Sequence, residues 1–371
     1  MDSFKHWSVT EWVAYSYASL FVLNICLGVV GSICSSLFCC KRSRKNSKKN
    51  EAKTLLKESA KNPFSYESEI KAAERIKMVI QFLLMIWLFR ILILLISLTL
   101  LSLWSFVCVS VVDTEKPLSK WGLFATRLPV RLFSRLILFS LGYYYIPQKG
   151  SQDMRARVVA ANHVTWIDAL YFMAAGSFSV VSKRANANGC FIGSIVRIQQ
   201  PMLVDRDKTK KNKGLGISDI IVNRTLDDRW PRILIFPQAT TTRADCLSSF
   251  RTGGFRANSY VQGVALKYDI EPFCRCVDGL DVSWTNETPM LTVYLRLLLN
   301  CWNGLSVTWL PVRERDGPTV WKEIPRQRRA KILQEQIASE LDCPYTQHSY
   351  EDVKLWLEIH RAYVKYLFEC V

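Results

Sequence analysis

From Val13 to Cys40 the chain carries no charged side chain, and this run, VAYSYASLFVLNICLGVVGSICSSLFCC, limits the possible folds more than any other feature. It exceeds the roughly 20 residues an α-helix needs to cross a hydrocarbon core. A signal peptide would have a shorter apolar stretch, a basic segment ahead of it and a small-residue cleavage site, and none of these is present. The run predicts a membrane helix over residues 13–40.

A second apolar block, from Met78 to Asp113, is interrupted only by Arg90. Two arrangements fit it. Residues 91–112 can span alone with Arg90 snorkelling to one interface, or the whole block can form a hairpin that enters one leaflet and returns. Leu132–Tyr145 mixes Arg with bulky apolar residues and reads as an interfacial segment.

Between the two blocks, KRSRKNSKKNEAK holds seven of the basic residues behind the net charge of +17, against one Glu. Beside a membrane helix such a run marks the cytoplasmic side and attracts anionic lipid. No aromatic interleaving or nucleic-acid-binding motif accompanies it, so no nucleic-acid partner is expected. Cys39 and Cys40, next to the run, are candidates for palmitoylation. The twelve cysteines are scattered, and Cys274 and Cys276 are too close for a zinc pair, so neither a disulfide framework nor a structural metal is expected. The chain has no Asp-rich calcium loop, and no bound cofactor is expected.

Three regions follow. Residues 1–113 form a membrane-anchoring region: a helix over about 13–40, a basic loop over 41–77 and the second apolar block over 78–113. Residues 114–348 form a globular domain, and 349–371 an amphipathic C-terminal helix. Within the domain, strands are expected at Arg157–Ala161, Phe178–Ser182, Met202–Val204, Arg232–Phe236, Gln262–Lys267 and Val307–Val312. Helical stretches lie between or after them at Asp168–Ala174, Gly214–Asp227, Met290–Cys301 and Arg328–Leu341. The alternation predicts an α/β fold, a mixed sheet covered by helices and preceded by N-terminal membrane helices.

Four segments carry chemistry. NHVTWID places His163 five residues before Asp168, just after the apolar run RVVAA. A strand ending there puts the imidazole at a sheet edge. A carboxylate one helical turn on can hold one tautomer and make the other ring nitrogen a better base. QPMLVDRD is an apolar strand ending in Asp205, Arg206 and Asp207, and the Arg206 fork suits a phosphate. In RILIFPQATTTR a β run stops at Pro237, and Thr240–Thr242 can line a phosphate-binding turn. VQGVALKY is a further strand, with Gly263 beside the crevice.

In order and spacing these segments resemble the four blocks of the glycerophospholipid acyltransferases, and most closely those acting on lysophosphatidylcholine and lysophosphatidylethanolamine. The resemblance covers roughly residues 120–355 and extends to SFRTGGF, SVTWLPV and CPYTQHSYED. It implies esterification of a lysophospholipid hydroxyl from acyl-CoA as co-substrate, with His163 as general base and Asp168 orienting it. It further implies that Arg206, Pro237, Gln238, Ala239, Thr240 and Thr241 bind substrate, and that the protein sits in the endoplasmic reticulum membrane. A hairpin over 78–113 leaves the domain in the cytoplasm, where acyl-CoA is made, whereas a single crossing places it in the lumen; the cytoplasmic side is expected. The alternatives are a lysophosphatidic acid or glycerol 3-phosphate acceptor, and a non-catalytic lipid- or acyl-CoA-binding relative. The chain departs from the pattern at Gln200, where Gly is usual, at Gln238-Ala239, where Glu-Gly is usual, and at Gly263, where Pro is usual. Ala239 adds a Cβ where Gly permits positive φ.

Overall fold

The computed structural model describes residues 64, 72–176, 178–189, 192–204, 216–257, 259–268, 282–285, 290–316 and 318–352. The helix expected over 13–40, nearly all of the basic loop, Arg206 with its flanking aspartates, and the tail beyond Asp352 lie outside the described residues.

The sheet is built around β2 (Ala156–Ala161), whose sequence ARVVAA is buried at every position but Arg157. Small and β-branched residues without polar alternation are what a strand covered on both faces requires. Beside it run β5 (Arg232–Ile235) and β6 (Tyr260–Tyr268), both parallel to it. The full order is β1 (Gln148–Lys149), β7 (Leu305–Trp309), β6, β2, β5, β3 (Phe178–Lys183), β4 (Met202–Val204). Strands β2 to β6 are mutually parallel, β7 is antiparallel to β6, and β1 is parallel to β7. All six expected strands are present, with ends within a few residues; β1, two exposed residues, was not expected.

Alternate residues of these strands enter two different cores, as the pleat dictates. Val159, Ala161, Leu234, Val264 and Leu266 face one layer, with α2 (Ile86–Val111), α3 (Lys120–Ser140), α4 (Ile167–Ala175), α6 (Ile192–Arg197) and α8 (Met290–Leu299). Val158, Ala160, Ile233, Ile235 and Ala265 face the other, with α7 (Ile217–Thr225) and α9 (Arg326–Leu341). The product is the helix-covered mixed sheet that the alternation predicts.

The second apolar block forms one long helix, and its arginine is placed otherwise than expected. After α1 (Ala72–Leu83) the chain breaks at Leu84-Met85, and α2 then runs unbroken for 26 residues. It pairs with α3, with Trp104 Nε1 donating to Ala125 O at 3.0 Å. Leu101 and Cys108 of α2 lie in the same core as the sheet residues Val159 and Val307.

Arg90 does not snorkel. Its side chain is 1% exposed. It donates to the carbonyls of Leu298 at 2.9 Å, Asn300 at 2.5 Å and Cys301 at 3.0 Å, and to the Tyr144 hydroxyl. These carbonyls end α8, where helical carbonyls lack intrahelical partners and the dipole is negative. The guanidinium thus caps α8 and fixes α2 to the domain. Leu132–Tyr145, expected as an interfacial segment, is the second half of α3 and the turn after it; Ile137, Leu138, Leu141 and Tyr143 are core residues, while Leu132, Leu136 and Tyr145 are exposed.

Candidate active site

Strand β2 ends at Ala161, and the next residue extends the ladder with its side chain. Asn162 Nδ2 donates to Leu266 O at 2.9 Å, and Leu266 N donates to Asn162 Oδ1 at 2.8 Å. His163 follows, at the carboxyl edge of the parallel strands, where open α/β sheets place their crevices.

His163 Nδ1 lies 2.8 Å from Asp168 Oδ2. The same oxygen accepts Val164 N–H at 2.6 Å and Thr165 N–H at 2.9 Å, which locks the carboxylate into the first turn of α4. Oδ1 accepts the hydroxyl of Tyr268, the last residue of β6. Asp168 is 0% exposed and His163 22%, so the acid is sealed while the imidazole keeps an open edge. One face of the ring stacks on Phe236 at 4.1 Å and 16°. No described residue bonds to Nε2. An imidazole with Nδ1 on a carboxylate and Nε2 free is arranged to take a proton from an incoming hydroxyl. Burial, with the Asp168 charge adding to it, holds the Tyr268 hydroxyl well above the usual tyrosine range, so it remains a donor.

The loop after β5 closes on the same turn. Thr242 N donates to His163 O at 2.9 Å, and Gln238 Oε1 accepts His163 N–H at 2.6 Å. The amide of Gln238 also donates to Thr242 Oγ1 at 2.9 Å and Ser248 Oγ at 3.1 Å. A strap, Val282–Thr285, lies across both loops: Trp284 N donates to Val164 O at 2.9 Å, and the Thr241 hydroxyl donates to Trp284 O.

Residues 145–267 match the family model described as Acyltransferase. This segment is a domain of the acyltransferase family. The chain is 31% identical over 309 residues to lysophosphatidylcholine acyltransferase 2 of Homo sapiens, covering 80% of this chain and 53% of the relative. It is 30% identical over 245 residues to a lysophospholipid acyltransferase of Arabidopsis thaliana, covering 66% and 43%. The 1-acyl-sn-glycerophosphate acyltransferase of Thermotoga maritima aligns at TM-score 0.49 and 11% identity, over 72% of this chain and 96% of that one. The chain spans about half the length of the curated relatives it matches.

Within this acyltransferase domain the expected site residues separate into two groups. His163 and Asp168 meet, and Thr240 lies on the adjoining loop, partly exposed and with no described partner. Gln238, Thr241 and Pro237 serve the frame. Gln238 was expected to bind substrate; it is 0% exposed and its amide is committed to His163, Thr242 and Ser248. Thr241 uses its hydroxyl proton on the strap. Pro237 is buried, and its carbonyl accepts Arg251 N–H at 2.8 Å.

Both positions where the resemblance expects glycine have left-handed backbone, Gln200 at φ 52° and Ala239 at φ 60°. The domain therefore retains the turns and tolerates the strain of a Cβ in each. Sequence reasoning missed Tyr268. The signal was present in VQGVALKY, where the alternation Val264, Leu266, Tyr268 puts a phenol on the His163 face at the end of a strand adjacent to β2.

Proposed function

We propose that this chain transfers an acyl group from acyl-CoA to the free hydroxyl of a lysophospholipid, with lysophosphatidylcholine or lysophosphatidylethanolamine as acceptor. The observation that carries the reading is the His163 imidazole, held by Asp168 through Nδ1 and open at Nε2, at a strand edge of an acyltransferase-family domain. The relatives named above, lysophosphatidylcholine and lysophospholipid acyltransferases, support the acceptor class.

In this mechanism Nε2 takes the proton of the acceptor hydroxyl as its oxygen attacks the thioester carbonyl. The C–S bond breaks, and the imidazolium returns the proton to the departing CoA thiolate. Asp168 stabilises the imidazolium, and Tyr268 holds Asp168. Base catalysis of this kind contributes about 10²–10⁴-fold, and holding the two substrates together supplies much of the rest. Arg206 and Thr240 contact the acceptor phosphate.

Both substrates are amphipathic, and the fold offers an apolar surface to meet them. Leu92, Leu95 and Phe106 of α2 and Phe124 and Leu132 of α3 are exposed. α2 is the described helix long and apolar enough to cross a membrane. Arg90 in its first turn and, beyond its end, Lys116 O, which accepts Gln200 Nε2 at 2.6 Å, both hold it to the domain. We read α2 and α3 as a hairpin lying against the domain at the surface of one leaflet, with the domain on the cytoplasmic side of the endoplasmic reticulum.

The test is acyl transfer from labelled acyl-CoA by the purified full chain, across lysophosphatidylcholine, lysophosphatidylethanolamine, lysophosphatidic acid and glycerol 3-phosphate. Product is expected with the first two and its loss in His163→Ala. An unchanged His163→Ala rate would remove the catalytic assignment. Preference for lysophosphatidic acid or glycerol 3-phosphate would overturn the acceptor, and acyl-CoA binding without turnover would make the chain a binding protein. Protease protection of a C-terminal tag in sealed microsomes tests the sidedness, since a lumenal domain would be protected.

A further inference from the structure

A small cleft opens at the edge of the sheet opposite His163. It lies where the parallel strands begin, against Phe178 at the start of β3, Pro231 just before β5 and Gln200 just before β4, and α3 closes it with Arg127. No carboxylate lines it.

Arg127 is desolvated, yet it makes no hydrogen bond or ion pair with any described residue. Two further arginines flank the cleft with neutral partners only. Arg224 donates to Gln200 O at 2.5 Å and Ser179 Oγ at 2.7 Å, and stacks on Trp230. Arg232 donates to Ala156 O at 2.9 Å and to the side chains of Gln152 and Gln262 at 3.1 Å, with its guanidinium 5.6 Å from the Phe178 ring centre. The nearby carboxylates are engaged elsewhere, Asp153 with Arg155 and Asp113 with Lys116. Burial pushes all three guanidiniums down to about 10. Asp153 offsets part of this at Arg232, but desolvation acts alone on Arg127 and Arg224. Positive charge drawn out of water without a counter-charge is costly, and an anion entering the cleft offsets that cost.

We propose that this cleft binds a phosphate group through the Arg127 fork, as a site separate from the catalytic turn. Guanidinium forks match phosphate oxygens in pairs. The phosphate can arrive free in solution or on a lipid. Phe124 and Leu128, one turn before and one residue after Arg127, are exposed apolar side chains that would accompany a lipid-borne head group. The proposal does not depend on the acyl-transfer reading, because the cleft and His163 lie at opposite strand ends.

Thermal melting of the full chain in a non-ionic detergent tests it, with Arg127→Gln compared to wild type and to Arg131→Gln, an exposed arginine of the same helix. Two probes are used: inorganic phosphate, and micelles doped with phosphatidic acid. A ligand in large excess over its Kd raises the melting temperature by several degrees. That rise is expected in wild type and Arg131→Gln and is expected to be lost in Arg127→Gln. Any phosphate bound near His163 would stabilise all three proteins, so the difference isolates the cleft. A response to inorganic phosphate identifies a free-anion site, and a response to phosphatidic acid alone identifies a lipid site. Equal shifts in all three proteins, or none in any, would overturn the proposal. Without anion, Arg127→Gln should melt at or above wild type, because an unpaired desolvated charge is gone. A lower melting temperature there would assign the arginine to the fold and also overturn the site.

Discussion

Gln238 holds His163 by its backbone: Gln238 Oε1 accepts the His163 N–H at 2.6 Å, from a side chain that is itself 0% exposed. The amide is the joint between the loop after β5 and the turn after β2. It fixes where the imidazole begins, while Asp168 fixes where it points.

Replacing Gln238 with leucine keeps the volume and removes the joint. The His163 N–H and the hydroxyl of Ser248 lose a buried partner, at a cost of about 1–3 kcal/mol. Chemical denaturation should show that loss, and acyl-transfer assays a fall in kcat larger than any rise in KM. Unchanged kcat in a folded Gln238→Leu would show that the imidazole needs no such support.

Tyr268→Phe removes one hydroxyl and leaves Asp168 Oδ1, sealed from water, without that partner. A hydrogen bond to a charged group contributes about 1.5–3 kcal/mol, so a rate loss of about 10- to 100-fold with retained fold is expected. The pH response has a defined sign. The folded state raises the Tyr268 ionisation above its unfolded value, so the folded protein keeps a proton the unfolded chain has lost once pH passes about 10. Stability therefore falls with alkalinity above that point, and Tyr268→Phe should flatten the decline in a pH series of melting curves.

The left-handed backbone at Ala239 and Gln200 separates strain from bonding. At Ala239 glycine relieves about 1–2 kcal/mol of Cβ clash and gives back about 0.4–1 kcal/mol through a freer unfolded chain. Ala239→Gly should therefore stabilise slightly. Gln200→Gly gains the same relief but loses the bond from Nε2 to Lys116 O at 2.6 Å, in a side chain 2% exposed, and should destabilise. Equal effects at the two positions, measured by denaturant midpoint, would show that the turns rather than the side chains set the energy.

These contrasts mark how far the sequence could be read. Strands such as RVVAA and RILI were legible because burial on both faces leaves a run with almost no polar residue, and His163 with Asp168 because one helical turn links them. The roles of Gln238 and Arg90 were not legible. Their partners lie 75 and about 200 residues away, and only the fold brings them together. Gln238 was assigned to substrate because its segment resembles the family's third block, although its side chain points into the frame. The apolar α2 gave the same pattern whether it met lipid or sheet, because both select for leucine and isoleucine. Arg90 was the one residue that distinguished them, and its carbonyl partners at the end of α8 were invisible in the sequence.

Arg90 therefore supports a decisive substitution. A snorkelling arginine changed to methionine would make α2 more apolar and leave the domain undisturbed. A buried arginine capping α8 behaves otherwise, since Arg90→Met strands the carbonyls of Leu298, Asn300 and Cys301 away from water. Each lost bond to a charged group costs about 1.5–3 kcal/mol, though the effects do not add in full. The expected outcome is a loss of several kcal/mol with α2 released from the domain, seen as new proteolytic cleavage around Asp113–Lys120. Arg90→Lys keeps the charge but not the fork, and should recover only part of the stability. A fully stable, protease-resistant Arg90→Met would return α2 to the membrane alone.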